Sequence, residues 1–432
     1  MEDYGKGDFQ GGGYRKGGIL EGLKTERVDR MKKMQIASLF VNNLSIFTVG
    51  IGLLPLLPLY AEKLGADPSV VGYYLALATL ALAGGEMTAG WLSDRFQRRK
   101  LFMITAGFLA MLATWMMGQV TGILSLIVLT ALLWFCGGIG LAMVSILAGL
   151  SAGESERGKV FGILSLTGGL GALIGGLSTG YIVDHWGYST MFSAVAAFCL
   201  VWAGTACMVT EKETTRIQKE SGPAKTPGLG RPFTFLLTAV IIGSITSNAV
   251  ILLRSLVMND LGFGATAISS TGAIGGILTL PLPFLAGWLS DRKGRKNFLY
   301  IGYLVAAGSV VVLAYSTALW HFWIFIMLQS LSAALTGPVG TALATDLLPT
   351  QSLGKGLGLY NAGASIGGTL GFALGGFALK SFGLGPTFLF SIGITFLAML
   401  LLIPIRSTAR SANQDGPFAS IGVQVEPTNP GD

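Results

Sequence analysis

Apolar runs of about twenty residues recur along this chain, and their recurrence limits its possible folds more than any other feature. A helix rises ~1.5 Å per residue, so ~20 apolar residues cross a ~30 Å hydrocarbon core. By that ruler the sequence predicts twelve spans: 34–60, 69–92, 101–119, 123–149, 158–183, 189–209, 234–257, 267–290, 298–316, 320–345, 356–379 and 386–405. Composition points the same way. Half the residues are hydrophobic (51%), mean hydropathy is +0.64, and only 12% are charged, about half the usual share of a soluble domain. So few charges could not cover the core of a 432-residue soluble protein. The expected fold class is all-α integral membrane.

One long polar stretch, 210–232, divides the spans into six and six. The predicted organisation is a tail (1–33), a six-helix bundle (34–209), a linker (210–232), a second six-helix bundle (233–406) and a second tail (407–432). The first tail is polar and Gly-rich. Ile19, Leu20, Leu23, Arg27 and Met31 in it allow a short amphipathic helix on the membrane surface, and a disordered tail is the other reading. No cleavable signal is visible, since the first apolar run is long enough to span.

Charge placement sets the expected orientation. With both ends on one side, the tails and the loops of that side carry 26 of the 29 lysines and arginines. Such a bias marks the cytoplasmic face, so both termini are expected in the cytoplasm and the protein in the cell membrane. The net charge of +7 sits between apolar runs rather than on one basic surface, which argues against nucleic acid as a partner. Cys136, Cys199 and Cys207 fall in apolar segments without ligand or disulfide spacing and read as small hydrophobes. Neither a metal nor a cofactor is expected.

The chain also repeats itself. Gly90-Trp-Leu-Ser-Asp94-Arg95 recurs as Gly287-Trp-Leu-Ser-Asp291-Arg292, and Arg98 maps onto Arg295 at the same offset of 197. Downstream, Gly162, Gly171, Gly175 and Gly180 map onto Gly358, Gly367, Gly371 and Gly376 at an offset of 196. Two blocks with nearly one offset imply a parallel duplication of a six-span unit, an architecture that puts a central site between the halves.

At these residues the chain resembles the major facilitator superfamily over 34–406. Its motif A, roughly Gly-x-x-x-Asp-Arg-x-Gly-Arg-Arg/Lys, is intact in the second copy. In the first, Gln97 replaces the second glycine. The resemblance implies a conformational gate formed by Gly90, Asp94, Arg95, Arg98, Gly287, Asp291, Arg292 and Arg295. A carboxylate at the inner end of span 2 can sit against the N-terminus of span 11, where the helix dipole favours it by ~0.3–2 kcal/mol. The other reading of the arginines is a topology signal.

Spans 5 and 11 resemble the superfamily's motif C, Gly-x8-Gly-x3-Gly-Pro-x2-Gly-Gly. Gly176 and Phe372 stand where proline belongs, and Thr179 replaces one glycine that Gly375 keeps. Glycines four apart form a stripe for close helix approach, and that reading stands beside an antiporter bend. An arginine found in span 4 of many proton-coupled exporters is Trp134 here.

The resemblance implies that spans 1, 4, 7 and 10 line the cavity, where Asn42, Asn43, Trp134, Asn248 and Gln329 are the polar or aromatic candidates. Intramembrane charges are functional candidates by default. Glu86 reads as a proton site or as a carboxylate that snorkels or contacts a polar neighbour, and Arg254 as an attractor for an anionic substrate or a side chain reaching the outer headgroups. Gly149-Leu-Ser151-Ala-Gly153 matches a nucleophile elbow, but His185 and His321 are predicted a bilayer away, so no enzyme is expected. The sequence points to a monomeric secondary transporter for a small molecule, with protons as a coupling ion and export of small amphipathic compounds favoured. An importer or uniporter, with an anionic metabolite at Arg254, and a non-transporting receptor are the alternatives.

Overall fold

The computed structural model describes residues 14–151, 157–211, 230–349 and 352–405. The tail 407–432 and most of the linker 210–232 lie outside them. The chain folds into α1 (Tyr14–Leu53), α2 (Leu57–Lys63), α3 (Pro68–Phe96), α4 (Arg99–Met117), α5 (Ile123–Ser151), α6 (Arg157–Met208) and α7 (Arg231–Asp260). It continues through α8 (Ala265–Thr279), α9 (Leu282–Lys293), α10 (Arg295–Ala314), α11 (Leu319–Leu347), α12 (Leu353–Phe382) and α13 (Leu384–Leu400).

These helices make twelve crossings. The 52 residues of α6 are twice a span's length, and at Gly187 (φ 80°, ψ 173°) the backbone leaves the helix and doubles back, giving spans 5 and 6. Helices α8 and α9 are bent by 44° at Pro281, which has no N–H for the ladder, and together form span 8. Pro55 similarly parts α1 from α2. The short α13 spans only ~25 Å, and residues 401–405 extend it as turns. Residues 14–33 are helical and continuous with span 1 rather than a separate short helix.

Local sequence explains the ends. Asp67 caps α3, accepting from Ser69 N (2.9 Å) and Val70 N (3.1 Å), with Pro68 in the first turn. Gln97 ends α3 at φ 52°, a left-handed conformation. The matching position in the second half, Gly294, also has a positive φ, 94°, but with ψ 123°, a region open to glycine, so the superfamily's glycine stands where φ is positive.

Each half has its own core. One holds Leu39, Tyr74, Met103, Met143, Phe192 and Trp202, and the other Phe233, Leu299, Tyr303, Val339, Leu343 and Tyr360. A third cluster joins the halves: Leu56 and Leu59 pack with Leu253, Val257, Phe322 and Phe325. It lies toward the face opposite the α3–α4 and α9–α10 loops. The face bearing those two loops is called the basic face below.

Glycines set the approach of one helix to the next. Gly171 and Gly175 lie on the α1 backbone at Phe47, Thr48 and Gly52, and Gly367 and Gly371 repeat this on α7 at Ile241, Ser244 and Ile245. Gly375 meets Ala249 of α7. The partner ladder thus duplicates with the sequence.

Candidate functional site: the seam between the halves and its cavity

Two helix pairs form the seam. In the first, Gly72 of α3 has no room for a Cβ because α12 crosses it at Phe372 and Gly376. One face of α3 further on, Thr79 Oγ1 lies 3.1 Å from Thr369 Oγ1. The helices are antiparallel, so seven residues forward in α3 correspond to seven back in α12. In the second pair, Gly169, Gly176 and Gly180 of α6 meet Gly276, Ala273 and Ala265 of α8.

Polar contacts across the seam sit at one end. On the face opposite the basic one, Lys380 Nζ pairs with Asp67 Oδ2 at 2.8 Å and Asn259 Nδ2 donates to Glu62 Oε2 at 2.9 Å. There, Asp184 in the α6 turn accepts from Ala265 N (2.9 Å) and Thr266 N (2.7 Å), capping α8 across the seam. Among the described residues, the hydrogen bonds and the ion pair that join the halves lie here or at mid-depth. Toward the basic face a Cβ added at Gly162 or Gly358 would meet open space. The seam is shut at one end and parted at the other.

These contacts move ionisation at the shut end. The hydrogen bond from Lys380, helped by Ser69 and Val70, holds the Asp67 carboxyl well below the usual carboxylate range. Burial alone would raise Asp184, but the hydrogen bonds from Thr266 and Ala265 outweigh it, and the net shift is downward. Burial raises Glu62, Asp260 adds to the rise, and the Asn259 hydrogen bond opposes it.

Beside the seam lies an apolar cavity of about 220 Å³, lined by Phe47 and Ile51 of α1, Leu82 of α3, Trp134 of α5, Trp202 of α6 and Phe372 of α12, with Thr79 and Asn248 as its polar members. Of the sequence candidates, Trp134 and Asn248 line it. Three others do not. Asn42 donates to Trp202 O (2.8 Å) and Thr205 Oγ1 (3.2 Å), and Asn43 donates to Thr167 Oγ1 (2.7 Å). Gln329 accepts from Ser309 Oγ (3.3 Å). A buried amide needs partners, and these three find donor or acceptor contacts inside their own bundles, although the Asn42 Oδ1 is buried without one among the described residues.

Arg254 is corrected as well. It does not reach headgroups: it is 3% exposed, and among the described residues it hydrogen-bonds only to Ser255 Oγ at 3.5 Å and its Nε has no partner. Its neighbours Leu253 and Val257 belong to the cluster that joins the halves, which explains its burial. Glu86 is exposed and lies seven residues past Thr79 and fourteen past Gly72, hence on the seam side of α3. Of the cysteines, Cys136 and Cys199 are buried while Cys207 is exposed. Sequence reasoning missed Phe47, Trp202 and Phe372, because hydrophobic residues in a hydrophobic chain carry no signal of which face a cavity.

The two copies of the Gly-Trp-Leu-Ser-Asp-Arg loop differ. In the second, Arg295 bridges Asp291 (3.0 Å) and Asp346 at the end of α11 (2.7 Å), and Lys296 donates to Ile403 O (2.9 Å) and to Ile405 O. In the first, Asp94 and Arg98 are exposed and carry no hydrogen bond or ion pair among the described residues. Arg95 lies over the Trp91 ring (5.8 Å). Glu211 accepts from the Arg99 N–H (2.6 Å), and Arg99 Nε donates to Ser93 (2.7 Å).

Twelve crossings in two repeated halves, parted at one end around a cavity, define a multi-pass membrane transporter rather than an enzyme. The chain belongs to the Major Facilitator Superfamily, whose model matches residues 38–246 and again 234–424. It is 26% identical over 381 residues to the multidrug resistance protein MdtG of Klebsiella pneumoniae (strain 342), covering 84% of this chain and 91% of that one. It is 25% identical over 383 residues to a maltose permease of Geobacillus stearothermophilus, covering 84% and 92%. In fold it is similar to the nucleoside transporter NupG, with a TM-score of 0.72 at 12% identity over 86% of this chain and 99% of that one. A peptide transporter, POT, gives 0.69 at 14% identity over 86% and 94%.

Proposed function

We propose that this transporter exports small amphipathic compounds by alternating access, with its basic face in the cytoplasm of the cell membrane. The apolar cavity lined by Trp134, Trp202, Phe47 and Phe372 carries the reading. It favours compounds with a large apolar part, and it adjoins a seam parted toward the face that would supply them. The crowding of lysine and arginine on that face supports the orientation, and the likeness to MdtG of Klebsiella pneumoniae supports drug-like cargo.

Export then requires the seam to open at the opposite face and close at the basic one. The α3–α12 register, continued toward the basic face, sets Glu86 against residue 362 and Asp94 against residue 354, in the first turn of α12. Asp94 is thus the latch of the state with the basic face closed, held by the helix N-terminus. Glu86 is the proton site. It is exposed while the seam is parted, and closure would bury an intramembrane carboxylate at high cost unless it takes up a proton.

Transport of an amphipathic fluorescent dye by the protein in sealed liposomes tests this. Glu86→Gln is expected to abolish accumulation driven by a pH gradient while sparing dye exchange at equilibrium. Full gradient-driven transport in that variant would remove Glu86 from coupling. No flux of any compound under any driving force would favour a receptor instead.

A further inference from the structure

A second cavity, also about 220 Å³, lies within the second half between α7, α10, α11, α12 and α13. Its wall is richer in hydrogen-bonding residues than the first. Serine, threonine, tyrosine and asparagine dominate the wall, with no lysine, arginine, aspartate, glutamate or histidine among them.

The hydrogen bonds of this wall are unevenly used. Thr336, Thr341 and Thr395 return their hydroxyls to carbonyls one turn back, and Tyr303 donates to Ala239 O. The side chains of Ser244, Ser247, Ser332 and Asn361 have no hydrogen-bond partner among the described residues. The Tyr360 hydroxyl is fully buried without one, and Ser332 is itself only 4% exposed. Folded proteins satisfy nearly all buried polar groups. The orphaned Tyr360 hydroxyl and the buried Ser332 fall under that rule; beside them the half-buried Ser244 and Ser247 and the exposed Asn361 turn unused donors and acceptors to the same space, which marks a place for a ligand that hydrogen-bonds.

The two cavities adjoin across one stretch of α7. Ser244 and Ser247 face the polar one, Asn248 faces the apolar one, and Asn248 Nδ2 donates to Ser244 O at 3.0 Å. We infer that the polar niche binds the uncharged, hydroxyl- or carboxamide-bearing head of a substrate whose apolar part fills the first cavity. The inference rests on the reading of that first cavity as the transport site. A charged head is disfavoured, because desolvating an ion without a counter-charge is far more costly than desolvating a hydroxyl that gains partners.

Two probes test it on the full chain in lipid nanodiscs: an aryl glucoside, and the same aryl group carrying a trimethylammonium. A Cβ at Gly337 meets open space on the niche wall, so Gly337→Leu fills the niche without moving backbone. It is expected to weaken glucoside binding by ten-fold or more and leave the ammonium probe unchanged. Tyr360→Phe and Ser332→Ala should weaken the glucoside several-fold. The Tyr360→Phe protein should melt no lower than the parent, because the lost hydroxyl has no protein partner. Gly50→Leu, which grows into the apolar cavity, should weaken both probes. If Gly50→Leu changes neither probe while Gly337→Leu still weakens the glucoside, the niche stands and the reading of the apolar cavity falls. The inference is overturned if the parent does not bind the glucoside, or if Gly337→Leu leaves that binding intact; the niche then holds water only.

Discussion

The duplicated loop and the duplicated glycine ladder share an origin and have fared differently. Gly180 and Gly376, 196 residues apart, still do one job: each leaves its helix no room for a side chain where the other half crosses. Asp94 and Asp291, 197 apart, do not. Asp291 is tied through Arg295 to Asp346 within its own half, whereas Asp94 has no hydrogen bond or ion pair among the described residues. Close approach is a demand both halves make alike. A gate needs only one free carboxylate, so its twin can become a structural tie.

The largest expected effects probe the matched pair. Gly180→Leu and Gly376→Leu must each wedge the shut end apart, since the added carbon would strike Ala265 and Ser269 in one case and Pro68 in the other. Each should cut transport by more than ten-fold and raise cysteine-probe labelling at the opposite face. If only one did so, the ladders would not be equivalent.

A smaller pair concerns the turn after each loop. Gln97 holds φ 52° at a cost of ~1–2 kcal/mol, so Gln97→Gly should raise unfolding stability by about 1 kcal/mol. Gly294→Ala, at φ 94°, should lower it by at least as much. Thermal unfolding in nanodiscs reads both signs, and equal signs would refute the positive φ as the reason for the motif's glycine.

The loops themselves come next. Asp94→Asn should shift the conformational equilibrium by ~0.3–2 kcal/mol, raising cysteine labelling inside the basic face without lowering stability. Asp291→Asn should cost ~0.3–0.5 kcal/mol of stability and leave labelling unchanged. Identical behaviour would erase the distinction drawn between the copies.

The smallest effect is in acid. Asp67 has a lowered pKa while Lys380 donates to it across the seam, so this contact favours the shut state at neutral pH. It fades as pH falls through the lowered value. Glu62 is raised in the same state and acts in the reverse sense as its carboxylate protonates. In a Glu62→Gln background, labelling at the opposite face should therefore rise as pH falls below ~4, and Lys380→Ala should reduce that slope to the part that Asp184, also held low by its cross-seam bonds, leaves.

Much of the fold is legible from residue runs and offsets, because crossing a bilayer imposes a length and duplication leaves a spacing. The ladder's partners were not legible. That Gly171 would meet α1 and Gly176 would meet α8 depends on how far α6 is rotated, which glycines in a glycine-rich chain do not reveal. Among the site candidates, Trp134 and Asn248 reach the cavity, while Asn42, Asn43 and Gln329 turn inward to partners on other helices. Sequence marks an amide as polar without saying which neighbour will satisfy it. The polar niche escaped notice for a related reason: serines and threonines one turn apart look like ordinary helix-packing residues until their hydrogen bonds are assigned one by one.

The crossing of α3 over α12 at Gly72 and Gly376 has a mechanical consequence. Asp94 lies 22 residues beyond Gly72, or ~33 Å along a straight helix. While the shut end holds, each degree of tilt about this crossing sweeps Asp94 through ~0.6 Å. The long arm gives leverage: a single weak attraction at its tip exerts a torque at the fulcrum that the same attraction placed near Thr79 could not. A protein of this shape can be steered from its rim by forces far too small to move it from its middle.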